Sequence, residues 1–127
     1  MLDIWVFGNP DLPEDSLPLR LLPQLQRAFP QFIFHTKDPA EEWDPVPESL
    51  IIIDTVKGLE QVKIFTELNQ FESSPTVTMH DLDLLAELRF FQKLGKLKKI
   101  TLFGVPDTLN PDVAFTQLEA LLRQSLI

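Results

Sequence analysis

Cysteine is absent from this 127-residue chain, which removes a disulfide framework, a thiol nucleophile and a thiolate zinc site together. Basic side chains are scarce as well: eleven stand against nineteen acidic ones, for a net charge of −8. A surface of that sign repels phosphate backbones and anionic lipid, so neither nucleic acid nor a membrane is an expected partner. No apolar run approaches the roughly eighteen residues that a spanning helix needs. No basic segment precedes the apolar run at residues 2–7, so a signal peptide is not expected either. These absences predict a cytoplasmic protein. What is present is a 44% hydrophobic composition dispersed in short runs, too apolar for a disordered chain and sized for a single domain over residues 1–127.

The runs have the periods of an α/β protein. Leu2 to Phe7 reads as a strand that stops at Gly8, Asn9 and Pro10. Leu21, Leu22, Leu25, Ala28 and Phe29 recur at helical spacing between Leu17 and Phe29, with Asp15 or Ser16 as N-cap and a kink predicted at Pro23. Gln31 to Thr36 is a second strand. Ser49 to Thr55 contains Leu50, Ile51, Ile52 and Ile53 in succession, the signature of a central strand covered on both faces. Between them, Lys37 to Glu48 holds three prolines and several acids and reads as an exposed loop. A weaker edge strand is expected at Gln61 to Thr66. Thr78 and Asp81 form a capping-box-like pair for a helix with Leu84, Leu85, Leu88, Phe91 and Leu94 as its buried stripe, ended by Gly95. Lys99 to Phe103 is the last strand. Asn110 and Pro111 start a terminal helix with Ala114, Leu118, Leu121 and Leu122 inward. That order predicts an α/β fold, a sheet with helices on both faces.

In such sheets ligands gather beyond the carboxyl ends of the parallel strands, which directs attention to Asp15, Asp54 and His80. Asp15 follows the loop leaving the first strand, although capping is the common duty of an Asp at a helix start. Asp54 ends the isoleucine run, where it can also hydrogen-bond its own turn. His80 sits in the first turn of its helix, where the N-terminal field disfavours the imidazolium and keeps the neutral, metal-binding form. His35, the other histidine, falls within a strand and reads as structural.

The same residues resemble the hydrogenase-maturation endopeptidases. Phe7-Gly8-Asn9-Pro10-Asp11-Leu12-Pro13-Glu14-Asp15 is similar to the family's Gly-Asn loop and acidic pair. Leu50-Ile51-Ile52-Ile53-Asp54 is similar to its apolar third strand ending in Asp. Thr78-Met79-His80-Asp81 resembles its helix start, and Lys99 to Pro106 its last strand and following loop. The resemblance is collinear over nearly the whole chain and implies a three-layer α/β/α sandwich around a mixed, mostly parallel sheet of about five strands, phosphorylase/hydrolase-like in class. It implies a cytoplasmic aspartyl endopeptidase that removes the C-terminal extension of a nickel-loaded NiFe hydrogenase large-subunit precursor. It also implies Asp15, Asp54 and His80 as ligands to a nickel carried by that substrate rather than held by the free protein. Asp38 stands where the family has an Asp-Gly-Gly-Thr segment and is the implied catalytic or positioning carboxylate; Trp43 is a substrate contact if exposed, and a packing residue if folded back on the sheet.

Departures from the pattern keep alternatives open. Pro39, Ala40 and Glu41 replace the residues after Asp38, and Ser16, Leu17 and Pro18 stand where family members carry glycine. A receiver-like signalling domain with Asp54 as phosphoacceptor suits the length and element order, as does a non-catalytic flavodoxin-like interaction module.

Overall fold

The first apolar run forms β1, Leu2–Phe7, and the chain continues through a 3-10 turn at Pro13–Asp15 into α1, Leu17–Ala28. The computed structural model describes residues 2–38, 41–43, 45–72 and 79–127, with the side chains of 71, 72 and 79–83 outside that description. There follow β2 (Phe32–Lys37), β3 (Ser49–Thr55), β4 (Lys63–Phe65), α2 (Leu68–Glu72), α3 (Met79–Lys93), β5 (Lys99–Val105) and α4 (Pro111–Leu126).

The strands make one sheet in the order β2-β1-β3-β5-β4. Every neighbouring pair is parallel except β4 with β5. Strand alternation divides the core in two. On one face Ile4, Val6, Ile51, Ile53, Phe103 and Val105 pack with Leu21 and Leu25 of α1 and with Ala114, Leu118 and Leu122 of α4. On the other, Trp5, Phe7, Leu50, Ile52 and Leu102 meet Leu84, Leu85 and Leu88 of α3. Each fully buried Leu, Ile or Phe is worth about 2 kcal/mol, so the two faces supply the driving force for a three-layer α/β/α sandwich of the expected class.

Local signals explain most boundaries. Asn110 caps α4, its Oδ1 accepting from Asp112 N at 2.9 Å and Val113 N at 3.5 Å. Gly95 takes a left-handed φ of 75° just past α3, where Lys96 N donates to the Phe91 carbonyl at 3.0 Å. Other expectations need correction. Of the two N-cap candidates Ser16 takes the position before α1, but its hydroxyl donates to the Pro13 carbonyl at 3.0 Å and makes no cap bond. The five-residue α2 leaves no mark in the sequence, since little more than one turn is too short to show a period. Leu94 is exposed rather than part of the buried stripe, because it stands about a third of a turn around α3 from Leu88. β5 runs on through Gly104 and Val105. The proposed cap Thr78 lies outside the described residues.

Candidate functional site

Between β1 and β3 the chain turns away in opposite directions. β1 leads through α1 to β2 on one side, while β3 leads onward to β5 on the other, with α3 covering the opposite face from α1. Such a reversal opens a crevice at the carboxyl ends of the two strands, the usual ligand position in an open α/β sheet.

Asp54 stands at that position. It belongs to β3 and is 0% exposed. Val6 aligns with Ile53, so the next residue of β1, the buried Phe7, stands beside Asp54. On its other side Asp54 pairs in register with Gly104. Alternation puts Asp54 on the same face as Leu50 and Ile52, which is the face that α3 covers. An ionised carboxylate at this depth is costly unless another group compensates its charge, so its presence in an otherwise aliphatic strand is informative.

Asp15 reaches the same edge by way of a tied loop. Asn9 N donates to the Asp15 carbonyl at 2.8 Å, Leu12 N to the Asn9 carbonyl at 3.2 Å and Asp15 N to the Leu12 carbonyl at 2.9 Å. Asn9 Oδ1 accepts from Asp11 N at 2.9 Å, an Asx turn that folds the segment on itself. These bonds draw half-buried Asp15 back against the end of β1. Gly8 permits the approach: a Cβ there would lie 2.9 Å from the Asp15 carbonyl oxygen and 3.1 Å from Leu19 Cγ. The sequence marks Gly8 only as a strand breaker; its close-approach role becomes visible once the loop is folded.

His80 is the second residue of α3. Because α3 returns the chain to the start of β5, which is parallel to β3, the helix runs against the strands and its first turn lies toward their carboxyl ends. Its side chain is outside the described residues. The fold thus brings Asp15 and Asp54 to one edge and the backbone of His80 toward it. Among the described residues no three His, Cys, Asp or Glu side chains form a group able to hold a metal ion, and His80 is not among the side chains so described. In donor type, two carboxylates and an imidazole fit a borderline divalent metal such as nickel.

Asp38 lies just past β2, one strand beyond β1 from Asp54, and is exposed. Its backbone is held firmly: Asp38 N donates to Glu41 Oε1 at 2.7 Å, and its carbonyl accepts from Glu41 N at 3.1 Å and Trp43 Nε1 at 3.1 Å. Trp43 is folded back on the sheet. Only 5% exposed, it packs edge-on to Trp5 with centroids 5.5 Å apart and stacks on Phe91 at 5.9 Å. Of the two roles offered for Trp43, then, packing is the one the fold provides, because the indole has more apolar surface to bury than the loop has polar groups to hold it out. His35 Nε2 lies 2.8 Å from Asp3 Oδ1 in a half-exposed cross-strand pair.

Gly104 follows Phe103, where the sequence predicts the end of the last strand. It lies within β5, directly beside Asp54, because a Cβ would meet Val56 Cγ2 at 2.8 Å and Phe65 Cε2 at 2.9 Å.

Solved structures share this architecture from end to end. The hydrogenase-maturating endopeptidase HybD from E. coli matches with a TM-score of 0.62 at 20% identity, over 99% of this chain and 94% of that one. An endopeptidase from Escherichia coli with a solution structure matches at 0.62 and 23%, over 99% and 95%. The hydrogenase 3 maturation protease matches at 0.59 and 17%, over 99% and 89%. The chain therefore has the fold of the hydrogenase-maturation endopeptidases. No protein-family model matches the sequence, and no curated protein does. No described helix is long and apolar enough to cross a membrane.

Proposed function

We propose that this protein is a cytoplasmic endopeptidase that removes the C-terminal extension of a nickel-loaded NiFe hydrogenase large-subunit precursor. The observation that carries the reading is Asp54, a fully buried carboxyl group at the end of a central strand, at the crevice between β1 and β3, in a chain with the fold of the maturation endopeptidases. Buried titratable groups in such positions are functional candidates because keeping them there costs stability.

In this reading Asp15, Asp54 and His80 grasp nickel that arrives within the substrate. Two carboxylates and one imidazole leave coordination positions for the precursor's own ligands. Engagement of the nickel aligns the extension along the carboxyl edge. Hydrolysis adds water to the scissile carbonyl, breaks the C–N bond and passes a proton to the departing amine; a polarised carbonyl or an activated water lowers the barrier. Asp38 is the further carboxylate on that edge and takes the catalytic or positioning role. Trp43 contributes indirectly, through the hydrogen bond from its Nε1 to the Asp38 carbonyl.

The receiver-like alternative fits poorly. A phosphoacceptor must be reached by its phosphodonor, whereas Asp54 is buried, and Phe103-Gly104-Val105 supplies no lysine at the end of β5. A flavodoxin-like module calls for the order 2-1-3-4-5, whereas here an antiparallel β4 occupies the edge beyond β5.

Incubation with a nickel-loaded large-subunit precursor should produce a C-terminal mass loss. Asp54→Asn and His80→Ala should lower kcat/KM by about a thousandfold, equivalent to about 4 kcal/mol of barrier, with unchanged far-ultraviolet circular dichroism. Failure of the wild-type chain to cleave any such precursor refutes the proposal.

A further inference from the structure

Five of the eleven basic side chains, Arg89, Lys93, Lys96, Lys98 and Lys99, fall within residues 89–99, a stretch without a single acid. All five are exposed. Two large apolar side chains stand among them, Phe90 at 53% and Leu94 at 51% exposure. Leu94 follows the last residue of α3 and its N donates to the Phe90 carbonyl at 3.0 Å, so the two are neighbours four residues apart, turned away from Leu84, Leu85 and Leu88, which fill the core. The helix macrodipole accounts for a lysine in the last turn. It does not account for an exposed phenylalanine and leucine beside it.

The platform is fixed in place. Gly95 N donates to the Gln92 carbonyl at 3.0 Å, and Lys98 N and Lys99 N both donate to the Glu48 carbonyl, at 2.8 and 2.9 Å. Leu97 is buried between them. Arg89 donates to Asn69 Oδ1 at 3.1 Å; among the described residues, Glu48 lies 3.7 Å from Lys98 Nζ and Glu87 precedes Lys93 on α3, so the four lysines outnumber the described carboxylates beside them.

We propose that this end of α3 is a docking surface for an acidic segment of the hydrogenase precursor that carries an apolar side chain, remote from the cleavage site. The inference rests on the peptidase reading above. Charge complementarity selects the occupant: the patch is a basic, apolar-centred island on a chain of net charge −8. At the other end of the sheet, the segments leaving β1 and β2 carry Asp11, Glu14, Asp15, Asp38, Glu41 and Glu42. An acidic partner segment is repelled from that edge and drawn to this one, which fixes the sense in which the precursor lies along the protein. Binding energy gained far from the reacting bond is then available to position the extension. A second copy of the chain would have to bring its acidic edge to this patch, a head-to-tail contact that builds rings or filaments rather than the commoner twofold dimer. An anionic bilayer would accept Phe90 among its acyl chains but repels a molecule of net charge −8.

Cleavage of the nickel-loaded precursor by the charge-reversal variant K93E/K96E and by F90S/L94S tests this directly. Each should raise KM at least tenfold with kcat within twofold of wild type. Added salt should raise KM for wild type and leave it nearly flat for K93E/K96E. Both variants change exposed side chains, so unchanged thermal midpoints are expected, and a folding defect would show there. If wild type cleaves and both variants keep its KM, the docking surface is wrong while the peptidase reading stands. If wild type cleaves nothing, the peptidase reading falls and takes this inference with it. Sedimentation of wild type with phosphatidylserine vesicles, or concentration-dependent self-association, either one abolished by the variants, would reassign the patch and overturn the proposal.

Discussion

At the carboxyl edge of the sheet, the segments following β1 and β2 are acidic, tied by short backbone bonds, and packed so closely that glycine is required at Gly8 and Gly104. At the amino edge, the segment from α3 into β5 is basic and closed by one left-handed glycine, Gly95, with nothing within 4 Å of where its Cβ would stand. The carboxyl edge uses Gly8 and Gly104 for close approach and Gly58, at φ 86°, for a turn, whereas the amino edge has a turn glycine, Gly95, alone. The difference separates the two ends by purpose: crowding at the carboxyl edge fixes Asp15 and Asp54 relative to one another, whereas the open amino edge leaves Phe90, Leu94 and five cations facing solvent.

Alanine at Gly8, Gly95 and Gly104 sharpens that contrast. Gly104→Ala should be the most damaging, about 2 kcal/mol from overpacking against Val56 and Phe65, read as a lowered urea midpoint. For Gly8→Ala the clash is with backbone at Asp15, with an expected cost of about 1.5 kcal/mol and a fall in precursor cleavage of about tenfold as Asp15 is displaced. Gly95→Ala should cost only about 1 kcal/mol, the strain of a left-handed alanine, and should leave cleavage unchanged. An equal loss at Gly95 and Gly104 would break the comparison.

How much of this was legible in the sequence depends on how local the signal is. β3 announced itself through Leu50 to Ile53, α4 through Asn110 and Pro111, and the end of α3 through Gly95, each a property of a few adjacent residues. Asp54 was found because strand ends are where α/β sheets build sites. Hidden features were those that depend on contacts distant along the chain. Gly104 reads as a break until Val56 and Phe65 are seen to need its missing side chain. Trp43 reads as a loop residue until Trp5, Phe7 and Phe91 are assembled around it. Leu94 has the spacing of a core residue relative to Phe91, yet the buried arc of α3 is centred on Leu84 and Leu88. The antiparallel pairing of β4 carries no local mark either, since three residues, Lys63–Phe65, show no period.

The account turns on whether three side chains far apart in sequence meet at the crevice between β1 and β3. Soaking crystals in nickel or cadmium and locating the ion by anomalous scattering addresses that point directly. A single ion bridging Asp15, Asp54 and His80 is the predicted result; a His80 imidazole directed away from the two carboxylates, with no ion between them, would contradict it.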